Sequence, residues 1–427
     1  MPPRRSHKKS KAGCQRCKNR KIKHGVPCDF EGPISPNTAA TPTTPVFFRQ
    51  DTVESSSHMS SFSTPRTTAS AIVPFYHQPP SLIRANQTLP SSRALELKLM
   101  HHFTARTCLT FSDGLEQNMA WQVDIPTIAY DAQYLMDAIL AVSALHMRVM
   151  YPEDRSLIRA SHGYMASALA QYSSLLTQGV SELNSEALFS TSALIAFQAS
   201  ASRLFDEDGP YSLPLAWFHS FQGVKTVVMA SWRWLRTSNK IFPIINSQPA
   251  LFLDLDPERK HFFAPLLDDL EEHLQTFPES LRMETKQAYL HAVAFLNWAH
   301  RRPVRNRILG FAAAVSRRYV DLVAQHDPRV LVITACFFAL TKMVDDVWWL
   351  NGIAKREVNG ICSLLPSDWW PKLDWPLRIA NHEGPMDDET WGSSLSELHS
   401  LKKEENNVHE HIDLLAQIIN ESNPPLD

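Results

Sequence analysis

From position 94 onward, apolar residues recur at helical rather than strand spacing. Leu95, Leu99 and Phe103 stand four apart and Met100 widens the same stripe, which predicts an amphipathic helix. Between Tyr134 and Met150 the chain is apolar almost all round (Leu135, Ile139, Leu140, Val142, Leu145) and stops before Pro152. That is the pattern of a helix buried in a core. Further helical stretches are expected at about 157–177, 185–205, 214–235, 258–275, 281–300, 305–325, 328–350 and 352–365. Sustained alternation of apolar and polar residues is missing, as is a repeat of fixed period. The pattern therefore predicts a mainly α protein, with one large all-helical domain of about ten helices over 94–382.

The flanks read differently. Residues 33–93 hold 11 Ser, 9 Thr and 9 Pro among 61, too little apolar surface to offset the entropy of folding. A disordered linker is expected over 32–93, with Ser35-Pro36, Thr41-Pro42, Thr44-Pro45 and Thr64-Pro65 as candidate proline-directed phosphorylation sites. The tail, 383–427, has 11 acids against Lys402 and Lys403. Its apolar residues Leu401, Val408 and Leu415 fall seven apart beside Ile412 and Ile419. This fits a short solvated helix or an acidic-hydrophobic segment, and is too brief for a firm coiled coil.

Composition narrows the class. Glycine numbers 13 in 427 residues, against roughly 7% on average, which disfavours glycine-rich phosphate loops and dinucleotide folds. The longest apolar run, Val330–Thr341, lies between Arg329 and Lys342 and is too short to span a bilayer. No apolar stretch follows the basic start, so a soluble, intracellular chain is expected. A net charge of −2 conceals an asymmetry. Residues 1–23 carry ten basic side chains and no acid, leaving 32 bases against 44 acids over 24–427. A cationic head on an anionic body points to a polyanionic partner for the head alone.

The head, residues 1–31, also holds Cys14, Cys17 and Cys28, whereas Cys108, Cys336 and Cys362 sit among apolar neighbours as small core residues. Cys14-Gln-Arg-Cys17 runs into Lys18-Asn-Arg20-Lys21-Ile-Lys23. Two cysteines three apart can turn both sulfurs toward one Zn²⁺, which would pin the basic residues on a turn facing phosphates and base edges.

These residues resemble the fungal six-cysteine binuclear zinc cluster, whose pattern runs C-x2-C-K-x-R-K/R-x-K-C through two more cysteines to a last one that often closes K-H-G-V-P-C. Cys14 and Cys17 match its first pair, and His24-Gly-Val-Pro-Cys28 resembles its end. The resemblance implies that Lys18 reads base edges in a CGG-type half-site. It implies phosphate contacts by Arg20, Lys21 and Lys23, with Lys11 and Arg16 in the same basic surface. The third, fourth and fifth cysteines are missing, since Lys23 runs directly into His24. Two zinc ions sharing six thiolates cannot be held by three sulfurs. Two readings stand. Either a segment has been lost between Lys23 and His24, or Cys14, Cys17, His24 and Cys28 form one tetrahedral site. The first is favoured because both flanks resemble family sequence that is normally separated.

The body resembles the regulatory domain of the same superfamily, particularly its sterol uptake control branch. The resemblance rests on Leu95–Phe103, Ala138–His146, Ala187–Phe197, Asp345–Gly352 and Trp369–Pro376. It implies an all-helical domain with an apolar pocket that can take a sterol. Trp348, Trp349, Trp369, Trp370, Trp375 and the run Phe337–Leu340 are candidates to line that pocket or simply to fill the core. No pocket residue is singled out. The expected function is sequence-specific regulation of RNA polymerase II genes in the nucleus, through DNA and the transcription machinery. A regulator that keeps the body but has lost DNA binding is the alternative. A metal-dependent terpenoid enzyme is a third, because Asp268-Asp-Leu-Glu-Glu272 fits a D-D-x-x-D/E pattern for Mg²⁺. A second such motif is missing, so no enzyme is expected. Asp345-Asp346, His101-His102 and His409-Glu-His411 lack the partners that a metal site needs.

Overall fold

The computed structural model describes residues 91–206, 209–249, 251, 253–256 and 261–395. Within them every regular element is helical, as the spacing predicts. Ten helices have eight or more residues: α1 (Ser91–His102), α2 (Gln133–Met150), α3 (Arg155–Gln178), α4 (Ser185–Ser202), α5 (Leu215–Leu235), α6 (Glu279–Arg301), α7 (Arg305–Ala314), α8 (Arg317–Ala324), α9 (Pro328–Leu340) and α10 (Ile353–Leu364). None of the described helices is long and apolar enough to cross a membrane.

Local chemistry sets the starts and stops. Asp154 accepts a hydrogen bond from the Ser156 amide (2.9 Å) at the start of α3, and Asp327 accepts one from the Val330 amide (2.9 Å) at the start of α9. Each satisfies an amide that the helix itself leaves unpaired. Pro328 at the first position of α9 needs no such partner. Gly179 ends α3 at φ 103°, a conformation that a side chain would strain.

Three expected stretches are corrected. Of the helix expected over 258–275, the described residues from 261 onward form only a 3-10 turn, Ala264–Leu267, and one helical turn, Leu270–Leu274, because Asp269 between them takes the left-handed conformation at φ 58°. The stretch 305–325 divides into α7 and α8, since Val315 is extended and Ser316 caps the second helix by accepting from the Tyr319 amide. The stretch 328–350 is regular only to Leu340. A 3-10 turn, Thr341–Val344, and tight turns follow, until Gly352 at φ 76° opens α10.

Helix α9 is the axis of the core. Every residue from Arg329 to Leu340 is buried, so the apolar run that is too short for a bilayer is explained by neighbours on all sides. One core cluster surrounds α6 to α10 and a second surrounds α2 to α5. Phe197 and Trp348 touch both. Trp349, fully buried, meets Phe197 edge-on at 4.9 Å. The indoles of Trp348 and Trp349 donate to the hydroxyl and carbonyl of Thr110. The Asp345–Gly352 stretch thus joins the two clusters, and one buried Trp contributes roughly 4–6 kcal/mol of burial.

A buried ion pair makes a second link. Glu357 of α10, fully inaccessible, accepts two hydrogen bonds from Arg203 just beyond α4, both 2.8 Å, and a third from the Tyr211 hydroxyl at 2.8 Å. Gly360 lies one turn on. A methyl group there would stand 2.1 Å from the Tyr211 ring, so the glycine is what admits that ring.

Candidate functional site

The seam between the two clusters is not closed. Helices α4, α5 and α7, the turn Phe242–Ile245 and the Phe111–Trp121 region enclose an apolar pocket of about 200 Å³. Helix α5 contributes one continuous face: Phe221, Val224, Lys225, Val228 and Met229, at spacings of three and four, all line the cavity. Opposite stand Phe189, Ala193 and Phe197 of α4, with Leu309 and Gly310 of α7 closing one side. Phe111 stacks on Phe197 at 4.1 Å and 10° between planes, and Trp121 packs edge-on against both. This interlocked triad gives the floor of the pocket a fixed shape.

Polar groups in the wall are few. Asn306 donates to the Ser247 carbonyl (3.0 Å), and the Ser247 hydroxyl to the Ile244 carbonyl (2.7 Å). These bonds tie Asn306 to Ser247 and Ser247 to Ile244 within the wall. Lys225 differs. It is the one charged side chain among the lining residues, 9% exposed, and it has neither a hydrogen bond nor an ion pair among the described residues. Burial in this apolar wall pulls its ammonium down to about 8. The group stays largely protonated at neutral pH, yet no described residue neutralises it.

The sequence offered no pocket residue, and the aromatics it proposed lie elsewhere. Phe337 and Phe338 are core, Trp349 joins the clusters, Trp375 packs against Phe263, His300 and Trp391, and Trp370 is 57% exposed. The α5 face was legible as an apolar stripe interrupted by one lysine, a pattern that an exposed helix edge shares.

The candidate metal residues separate in the same way. Glu271 pairs with Lys286 and Asp268 with Lys372, and Asp269 sits on the left-handed turn between them. The motif's own glutamate, Glu272, is exposed on the following turn, and the described residues hold no group of three metal-type ligands. Asp345 pairs with Lys342, and Asp346 with Arg305. His102 meets His146, whose Nδ1 lies 2.9 Å from the Thr107 hydroxyl and whose ring stacks on Trp348 (4.5 Å). Lys11, Cys14, Arg16, Cys17, Lys18, Arg20, Lys21, Lys23, His24 and Cys28 lie outside the described residues, as do His409 and His411.

The whole chain, cysteine-bearing basic head and helical body together, aligns with a known protein. A Zn(2)-C6 fungal-type transcription factor of Gibberella zeae is 43% identical over an alignment covering the whole chain and 97% of the relative. The chain belongs to the Zn(2)-C6 fungal-type transcription factor family. Membership makes it a regulator of transcription, as the Cys14–Cys28 segment and the helical body together imply. A second Zn(2)-C6 transcription factor, from Aspergillus fumigatus, is 25% identical over 77% of the chain and 84% of its own length. The sterol uptake control protein 2 of Candida albicans is also 25% identical, over 61% of the chain and 39% of its own length. No protein-family model matches this Zn(2)-C6 chain.

Proposed function

We propose that this Zn(2)-C6 chain is a nuclear regulator of RNA polymerase II genes, sequence-specific where the zinc cluster is complete, whose helical body answers to a hydrophobic small molecule in the Phe111–Phe197–Lys225 pocket. The observation that carries the effector reading is the pocket itself, an apolar cavity at the seam of two core clusters. A ligand there would bias how the two clusters pack, which is the physical requirement for an effector. The similarity to sterol uptake control proteins supports a lipid-class effector, with a sterol as the first candidate. Titration of the full chain with the fluorescent sterol dehydroergosterol, read by energy transfer from tryptophan, is expected to saturate. Ala193→Phe, which puts a phenyl ring into the cavity, is expected to abolish the signal. A linear, non-saturable response removes sterols from the candidates.

For the head we assign DNA contacts to Lys11, Arg16, Lys18, Arg20, Lys21 and Lys23, and zinc to Cys14, Cys17 and Cys28. Loss of a segment between Lys23 and His24 is the favoured reading. The alignment with the Gibberella zeae protein runs over 481 positions against 427 residues here, so the relative carries residues that this chain lacks. Three thiolates leave a two-zinc cluster incomplete. The full chain is expected to retain less than one zinc per molecule after dialysis and to shift CGG-containing DNA only at low salt, where lysines and arginines act without metal. One tightly held zinc per chain, lost on His24→Ala, would establish the Cys14, Cys17, His24, Cys28 site instead.

A further inference from the structure

Lys225 is the feature of the pocket that a hydrophobic effector alone does not account for. A neutral apolar ligand leaves a buried ammonium without a partner, and an unpaired buried charge is unfavourable unless something compensates it. The acids of the packed helices are engaged or turned away. Glu186 of α4 accepts from Ser238 at 2.6 Å and lies 3.9 Å from Lys240, beyond the C-terminal end of α5. Asp321 of α8 is exposed. The cations of α7 have partners of their own, Arg305 with Asp113 and Asp346, and Arg307 with the Trp298 carbonyl. No described residue supplies the compensating anion, and a ligand could carry one on a body that suits Phe111, Trp121, Phe189 and Phe197.

We infer that the pocket takes an anionic amphiphile, a carboxylic acid on a long apolar body, with its carboxylate on Lys225 Nζ and its apolar body against the Phe111–Trp121–Phe197 triad. The inference rests on the pocket being an effector site, but not on the effector being a sterol. An ammonium–carboxylate contact away from water is stronger than the hydrogen bond that a sterol hydroxyl can accept. The cation thus acts as a selector for acidic lipids over neutral ones of similar size. Burial also pulls the Lys225 pKa to about 8, so the ammonium needed for this contact is present at pH 7 and lost above pH 9. Affinity for an acid should fall across that window, and affinity for its ester should not.

The test uses the full chain and three fluorescent probes at pH 7: cis-parinaric acid, its methyl ester and dehydroergosterol. The acid is expected to bind about tenfold or more tightly than the ester, the scale of a hydrogen bond to a charged group. It should also exceed dehydroergosterol. Lys225→Met, close in volume and free of charge, should fold at least as well as the parent and remove the acid-over-ester preference while keeping ester binding. Equal affinities for acid and ester, or a preference that survives in Lys225→Met, would overturn the inference and leave the effector pocket standing. Binding of all three probes unaffected by Ala193→Phe would overturn the pocket assignment itself.

Discussion

Replacing Glu357 by Ala should lower the unfolding free energy of this transcription regulator by about 3–5 kcal/mol, measured by urea denaturation followed through tryptophan fluorescence. The Arg203 guanidinium would then be a cation 6% exposed to solvent, without the carboxylate that holds two of its hydrogen bonds at 2.8 Å. Asp206, at 3.4 Å and largely exposed, is a poor substitute. The Tyr211 hydroxyl would lose its acceptor at the same time. The penalty belongs to the stranded charge rather than to the lost bonds, so removing both charges should undo most of it. Arg203→Met combined with Glu357→Leu is expected to recover most of the parent stability. If the double variant is as unstable as Glu357→Ala, the loss arises from packing around Tyr211 and Gly360 and not from an uncompensated ion.

The second large effect is on acid stability. His300 of α6 is 3% exposed, stacked between Phe262 (4.3 Å) and Trp391 (4.7 Å), and its Nε2–H donates to the Trp391 carbonyl. Burial pulls its pKa down to about 4, against about 6.5 in an unfolded chain. Protons therefore bind the unfolded state first. The stabilisation is complete above pH 6.5 and is lost as pH falls toward 4, by about 2 kcal/mol at pH 5 and about 3 at pH 4. His146 is pulled down to about 4 as well, by burial and then by its neighbours His102 and Arg106, and adds a loss of the same sign in the same window. Urea midpoints taken from pH 7.5 to 4.5 should show the decline. In His300→Phe the slope should shrink by the share of one histidine. An unchanged slope would mean that the ring is hydrated in solution.

The legibility of these features from sequence was uneven. The paired ions at Arg203 and Glu357 stand 154 positions apart. Nothing in the local pattern marks either as more than a surface charge on a helix edge. The stacking of His300 on Trp391 is equally remote. Asp269 ends a helix that its acidic and apolar neighbours would favour, because a left-handed residue serves the turn that places the Leu266 and Asp268 carbonyls on Arg329. Two buried stretches, by contrast, were plain. The segments Tyr134–Leu145 and Val330–Leu340 are apolar on nearly every face because neighbours pack around them, and their buried polar residues Asp137, Ser143 and Thr334 are hydrogen-bonded.

By itself the sequence determined the class, an all-helical body behind a basic cysteine-bearing head, and the family, because helical period, turn residues and cysteine spacing are local properties. Only the tertiary structure decided which apolar stripe lines a cavity and which fills the core. Phe221, Val224, Lys225, Val228 and Met229 read like any half-buried helix face. Phe111, Trp121 and Phe197, brought in from distant segments, make that face one wall of a pocket and its lysine a cation without a partner among the described residues. Burial and pairing depend on what arrives from elsewhere in the chain, and no window of sequence contains it.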